Sequence, residues 1–400
     1  MAALPFWRRA ANFFFEALKW VLRTFTRAIT VLTAFVLLAS AFSDLISPTV
    51  WILAAYLGLA FPIILILAVI WTVLMMVTRR WRPAVLMLLA ITCCYTRLWR
   101  YMPLHAFDPS PVTSIKVNDS VSQAIEVDTF RVLTFNTRAT GDAHVRDIKE
   151  HIPLMDLVRQ SDADVVCLQE YHYSLTTGYT EQKLRDMVKD VYPYYHHLLN
   201  SGRKDMGITI FSKWPIRKKE KIDKAAKNYC WATYYELDVR GRCIGLVNCH
   251  LHSNTISKAD RKLYRQQIEH FEKDSLMRME DGLRHIGPAF RRRATQTGII
   301  NRFLADRKDA GNMPMIICGD MNDTPTSYTY RSMRGTMSDS WTEAGFGPGI
   351  SFRDAPFWFR IDHVFHSSHF RTLDARVMRE IEYSDHYPVM VTLQLLPDNN

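Results

Sequence analysis

Acids, amides and imidazoles recur at one kind of position in this 400-residue chain, at the end or the start of a short apolar run. Asn136 follows Val132-Leu133-Thr134-Phe135, Glu170 follows Val165-Val166-Cys167-Leu168-Gln169, and His250 follows Leu246-Val247-Asn248-Cys249. Asp320 and Asn322 follow Ile316-Ile317-Cys318-Gly319, Asp362 and His363 lie within 360–365, and Asp385-His386 precedes the last apolar run. One polar residue after a strand means little, because strands end in polar loops. Five strand ends that supply Asn, Glu, His, Asp-x-Asn and Asp-His are another matter. Carboxylates and amides suit a hard divalent cation, Mg2+ or alternatively Mn2+. Paired Asp and His suit general acid–base work on a phosphate ester.

Those residues need strands to hold them. Short β-rich runs are predicted at 130–135, 164–168, 208–211, 231–237, 243–249, 315–318, 361–365 and 389–395. Helical stretches lie between them near 144–160, 181–190 and 258–306, the last with an expected interruption at Gly287-Pro288. Such alternation predicts an α/β domain of two packed sheets with helices outside.

The segments LTFNTR (133–138), CLQE (167–170), GITIFSKWPI (207–216), LVNCHLHS (246–253), ICGDMNDTP (317–325), FRIDHVF (359–365) and YSDHYPV (383–389) occur in the order seen in the endonuclease/exonuclease/phosphatase superfamily, which this stretch resembles. The resemblance implies a four-layer α/β sandwich, two mixed β-sheets flanked by helices, with the site at one sheet edge. It implies Glu170 as the main Mg2+ ligand, Asn136 close to the metal, and Asp385 supporting the metal or the second histidine. Asp320 would position or deprotonate the attacking water, Asn322 would hold the scissile phosphate, and His250 and His386 would donate to its oxygens. Asp362 would orient His386. His363 stands where the family often has an aromatic residue. His252 shares the face of His250 on strict alternation and is a second candidate.

The first hundred residues differ in composition. They carry 10 of the 50 basic residues and only 2 of the 40 acidic ones, so the net +10 of the chain belongs mostly to them. The remainder is nearly neutral, which argues against strong duplex-DNA affinity. Uncharged runs at 28–43 and 50–78 are long enough to cross a bilayer, and a third at 84–96 is shorter, flanked by Trp81 and Trp99. Arg8, Arg9, Lys19, Arg23 and Arg27 precede the first run and Arg79, Arg80 and Arg82 precede the third, which orients these ends toward the cytoplasm. If the third run crosses, everything after Arg100 is extracytoplasmic. Phe6, Trp7 and Phe13–Phe15 read either as an interfacial helix or as an extension of the first span. The expected organisation is a membrane region at 1–100, a linker at 101–129, Pro-containing from 108 on, and a catalytic domain at 130–400, similar in layout to membrane-anchored bacterial members of the superfamily.

The functional expectation is a hydrolase of phosphate esters in a bacterial inner membrane, its partners being the lipid bilayer and a substrate that is a lipid headgroup, a nucleotide or a nucleic acid. No protein partner is implied. The alternative is a catalytically silent binding module on the same fold. A transporter is disfavoured, because Asp44 is the only acid among the apolar runs. Cys167, Cys249 and Cys318 read as small buried hydrophobes, and a Cys230–Cys243 bridge stays open. Lys213–Lys227, Arg291-Arg292-Arg293 and Arg360 read as solvated charges, and Phe357-Trp358-Phe359 as packing between the sheets.

Overall fold

The apolar runs form the inner strands of two six-stranded sheets. A computed structural model describes residues 6–105, 129–138, 151–173, 180–199, 206–223, 231–253, 275–307, 313–353, 358–382 and 384–397. The first sheet holds β1 (Thr129–Asn136), β2 (Val165–His172), β3 (Tyr194–Leu199), β4 (Met206–Ser212), β11 (Phe370–Val377) and β12 (Val389–Leu395), in the order β11-β12-β1-β2-β4-β3. The second holds β5 (Ile216–Lys221), β6 (Trp231–Val239), β7 (Arg242–His250), β8 (Met315–Asp320), β9 (Ser338–Asp339) and β10 (Asp362–His366), in the order β5-β6-β7-β8-β10-β9. β1 runs parallel to β2 and β7 parallel to β8, while their other neighbours are antiparallel. A parallel pair delivers both C-terminal ends to the same rim.

Val132, Cys167, Ile210, Tyr235, Leu246, Cys318, Val364 and Val391 fill the space between the sheets. Outside the first sheet, Leu154, Met155 and Val158 of α5 (His151–Gln160) and Leu184 of α6 (Glu181–Asp186) pack on Val166 and Phe211. Outside the second, Ile300 of α7 (Ser275–Ala305) and Tyr330 and Met333 of α8 (Tyr328–Arg334) pack on Val247, Ile317 and Phe365. The result is the expected four layers. The three cysteines expected inside are buried, Cys243 is free and exposed, and Cys230 lies outside the described residues.

Two expectations need correction. Helix α7 runs through Gly287-Pro288 without a break. Glycine is used there for close approach, since a Cβ would lie 2.7 Å from the Tyr56 hydroxyl. The parts of the expected helices at 144–150 and 258–274, most of the linker (106–128) and Phe357 lie outside the described residues. Arg293 is not a solvated charge: it is buried and donates to Asp323 Oδ2 at 3.1 Å.

At the N-terminal end, α1 (Phe6–Ala41) is one continuous helix, so its first turns extend the apolar run. With α2 (Ile52–Val77) and α3 (Trp81–Cys93) it packs around Ala34, Leu37, Phe61, Ala68, Met87 and Ala90. Asn12–Ala41 and α2 are long and apolar enough to cross a membrane, whereas α3 has 13 residues and is followed by α4 (Tyr95–Tyr101). The α1–α2 connection and α4 meet at one end, where buried Asp44 pairs with Arg100 at 3.0 Å and Arg97 at 3.4 Å. The sheet domain rests on that end. Trp99 Nε1 donates to the Thr342 carbonyl at 3.1 Å, the Gly347 amide to the Pro103 carbonyl at 2.9 Å, and Thr326 Oγ1 to the Gly58 carbonyl at 2.9 Å.

Candidate active site

Strand register brings the sequence motifs into one row. His250 on β7 sits opposite Asp320 on β8, and Asp362 on β10 sits opposite Asp320 from the other side. On the facing sheet Asn136 at the end of β1 pairs with Gln169 on β2, one residue before Glu170. The ends of five strands from two sheets therefore meet at one rim. Asn136 Nδ2 spans the gap, donating to Asp320 Oδ2 at 2.8 Å and approaching Glu170 Oε1 at 3.4 Å.

Local backbone features aim these groups. Glu170 has φ of 49°, in the left-handed region that costs a non-glycine residue energy, and it sits in an irregular stretch of the β2–β4 pairing. Asn322 has φ of 52°, and its amide donates to Asp320 Oδ1 at 2.8 Å, closing an Asx turn that also lets its Nδ2 reach the Leu251 carbonyl at 3.1 Å. Gly319 has φ of 136°, and a Cβ there would lie 1.9 Å from the Cys249 carbonyl oxygen. Ser327 caps α8 by accepting from the Tyr330 amide at 3.0 Å, ending the loop.

The histidines differ in their surroundings. His386 Nδ1 is 2.8 Å from Asp362 Oδ2, and its Nε2 is 3.7 Å from Asp320 Oδ2. Burial alone would lower the His386 pKa, but Asp362 and Asp320 outweigh it and push it up to about 10. Burial pushes the Asp320 carboxyl upward, against the pull of His386. His250 Nε2 lies 3.6 Å from both Glu170 Oε1 and Asp320 Oδ2, and neither of its buried ring nitrogens has a hydrogen-bond partner among the described residues. Buried polar atoms left so cost stability, which marks a place kept for another molecule.

Among the described residues, Asp320, Asp362 and His386 place ligand-type atoms within 4.8 Å of one another. That group differs from the expected cation ligands Asn136, Glu170 and Asp385. In it His386 links the two carboxylates, Nδ1 at Asp362 Oδ2 and Nε2 toward Asp320 Oδ2. Glu170 is a quarter exposed and offers a hard oxygen donor beside Asn136. Asp385 lies on the rim and pairs with Arg138 at 3.1 Å.

Two expectations about neighbours change. His252 lies beyond β7, which ends at His250, so strand alternation does not apply to it; its Nε2 faces Arg292 Nη1 at 3.0 Å, and burial with the Arg292 charge lowers its pKa to about 4. Arg360 is not a surface charge but 3% exposed, paired with Asp339 at 2.8 Å and donating to the Arg100 carbonyl. His363 takes the aromatic position literally, ring-stacked on Phe365 at 5.6 Å, and burial lowers its pKa to about 4.

Several positioning residues escaped the sequence reading. Gln169 Nε2 donates to Asn248 Oδ1 at 2.8 Å, tying the two sheets together under the rim. Ser384 Oγ donates to the Asn136 carbonyl at 2.8 Å, fastening the His386 segment to β1. Trp231 packs edge-on against His250 at 5.1 Å and Phe352 against His386 at 5.0 Å. Trp358 is exposed rather than packed between the sheets. Of these, the Ser in Ser-Asp-His and the Gln and Asn inside apolar runs were visible signals.

A model of the Endonuclease/Exonuclease/phosphatase family matches residues 133–386. The chain belongs to this family. Endonuclease/exonuclease/phosphatase proteins are metal-dependent hydrolases of phosphate esters, and this chain is such an enzyme. A second model, a domain of unknown function, matches residues 22–101. Among solved structures, an endonuclease/exonuclease/phosphatase protein from Beutenbergia cavernae is similar at 19% identity, covering 68% of this chain and 72% of its own, with a TM-score of 0.47. Truncated TDP2 from Caenorhabditis elegans is similar at 15% identity over 67% of this chain and 98% of its own, with a TM-score of 0.45. ANGEL2, a 2',3'-cyclic phosphatase, is similar at 15% identity over 67% of this chain and 96% of its own, with a TM-score of 0.46. No curated protein sequence matches the chain.

Proposed function

We propose that this chain is a membrane-anchored, Mg2+-dependent phosphoesterase in which water attacks phosphorus. The observation that carries the reading is the row His250–Asp320–Asp362 facing Asn136 and Glu170 across the sheet gap. The donor set fits a hard divalent cation: Glu170 would hold it, with Asn136 adjacent and Asp385 in support. When bound, such a cation supplies charge neutralisation on the nonbridging oxygens.

The remaining steps belong to the protein. Asp320, its upward-shifted carboxyl still a base near neutral pH, takes a proton from the attacking water. Asn322 orients that base, its backbone amide donating to Asp320 Oδ1 at 2.8 Å and its Nδ2 to Oδ2 at 3.1 Å. His386, kept protonated by Asp362, and His250 donate to oxygens where negative charge develops. A silent module has no observation in its favour, since each position keeps a competent residue.

The membrane reading rests on α1 and α2, on the basic residues at one end, and on the sheet domain resting at the other. With α3 and α4 crossing as a pair, the hydrolase lies outside the cytoplasm.

The decisive experiment is hydrolysis of bis(4-nitrophenyl) phosphate by the full chain, with Mg2+ or with EDTA, against Asp320→Ala. Equal rates in both proteins would remove the enzyme mechanism. A reporter inserted after Pro111 that is active only in the cytoplasm would overturn the sidedness.

A further inference from the structure

The loop carrying Asp320 and Asn322 continues directly onto the apolar helices. Thr326, four residues beyond Asn322, donates to the Gly58 carbonyl at 2.9 Å and lies 3.3 Å from the Tyr101 hydroxyl. Gly58 permits this contact, since a Cβ would sit 2.5 Å from Ser43 Oγ and 3.1 Å from the Thr326 carbonyl oxygen. From Gly58 to its end at Val77, α2 carries no charge, and at ~1.5 Å per residue that length is about 30 Å, the thickness of a hydrocarbon core. With Arg79, Arg80 and Arg82 among the inner headgroups, Gly58 stands at the outer boundary of the hydrocarbon. Four residues of chain span at most about 14 Å, so Asn322 lies within headgroup reach of that boundary.

The opposite flank descends to the same level. Gly287 and Phe290 of α7 pack on Tyr56, and Arg291 Nε donates to the Pro48 carbonyl at 3.4 Å. The next residue, exposed Arg292, faces His252, two residues from His250. Neighbouring cationic side chains thus reach the helix connection at Pro48 and, through His252, the chain just beyond His250. Large apolar side chains fringe the junction: Val50 is 82% exposed, Leu104 53% and Phe346 61%. Gly347, next to Phe346, bonds to Pro103, next to Leu104. Exposed Trp358 adjoins Phe359, which pairs with Phe352 beside His386. Such a fringe is unfavourable in water and favourable at a lipid interface, where its continuity with the spanning helices places it.

We propose that the substrate is the phosphodiester of a lipid in the outer leaflet of the bilayer that holds α1 to α3, cleaved within its own membrane. This rests on the hydrolase and membrane readings above. A water oxygen forms a bond to phosphorus and one ester P–O bond breaks. The proton taken by Asp320 is returned to the leaving oxygen, giving a phosphate monoester and an alcohol.

The test uses the full wild-type chain in nanodiscs of equimolar phosphatidylethanolamine, phosphatidylglycerol, phosphatidylserine, phosphatidylinositol and cardiolipin, with Mg2+. Lipid loss is followed by mass spectrometry. Bis(4-nitrophenyl) phosphate, a dinucleotide, and dihexanoyl forms of the diacyl lipids below their micellar concentration are assayed in parallel, with Asp320→Ala as blank. The expected result is that a bilayer lipid turns over about tenfold or more faster than its dihexanoyl counterpart, as preplacement of substrate beside the site requires. If the chromogenic diester is cleaved but no bilayer lipid is, or if the dihexanoyl lipid or dinucleotide is cleaved as fast, the lipid proposal is overturned and the hydrolase reading stands. If nothing is cleaved, the hydrolase reading itself fails.

Discussion

Two buried charge clusters share strand β10 and its approach, and they are built on opposite rules. In one, Asp339 is fully engaged: Oδ2 accepts from Arg360 at 2.8 Å and from the Tyr330 hydroxyl at 2.8 Å, and Oδ1 from the Trp341 amide at 3.0 Å. In the other, Asp362 uses Oδ2 for His386, and among the described residues its Oδ1 has no hydrogen-bond partner and His250 is bonded at neither nitrogen. The chain can satisfy a buried carboxylate, and does so with Arg360, two residues from Asp362. Its failure to do so at the rim is therefore a property of the site.

Substitutions should separate the two. The largest effect is expected from Asp320→Asn, which removes the base and lowers the Mg2+-dependent rate about 10³-fold, while Tm stays level or rises because a buried charge is gone; a parallel fall in Tm would erase the contrast. Next, Arg360→Met strands Asp339 as an uncompensated buried charge and is expected to destabilise the fold by about 3–5 kcal/mol in chemical denaturation, with the folded fraction keeping most of its turnover.

The same substitution changes the response to acid. Burial raises the Asp339 carboxyl, but Arg360 and His363 outweigh it and hold it below its ordinary value. A depressed folded pKa contributes stability above the unfolded value and loses it as pH falls through the folded one. Wild type should therefore weaken on acidification below pH ~4, whereas Arg360→Met, with the carboxyl pushed up by burial, should weaken less or gain. A smaller effect, about 10²-fold in rate with little change in Tm, is expected for Asp362→Asn, which leaves His386 unoriented. The smallest belongs to Arg217→Ala: Arg217 stands exposed on the edge strand β5, where it pairs with Asp238, so neither rate nor Tm should move.

What was readable in the sequence follows the same division. Eight strands were legible as apolar runs, and the four that were not, β3, β5, β9 and β11, are the four edges of the two sheets. Edge strands such as Ile216–Lys221 carry charge where a neighbour is missing, so no apolar run marks them. The motif residues Asn136, Glu170, His250, Asp320, Asn322, Asp362 and His386 all reach the rim, because each is tied to the end of a central strand or its adjoining loop. Arg360 could not be read, since its meaning depends on Asp339 and on the Arg100 carbonyl, 260 positions away. Gln169 and Asn248 look like interruptions in apolar runs until the second sheet is laid over the first.

Gly319 shows how finely the rim is gauged. With its α-carbon against the Cys249 carbonyl, no methyl group fits between β7 and β8. The spacing of the imidazole of His250 from the carboxylate of Asp320 is thus set by the size of a single hydrogen atom. Alanine there would wedge the two strands apart and detune the reaction without touching any group that performs it.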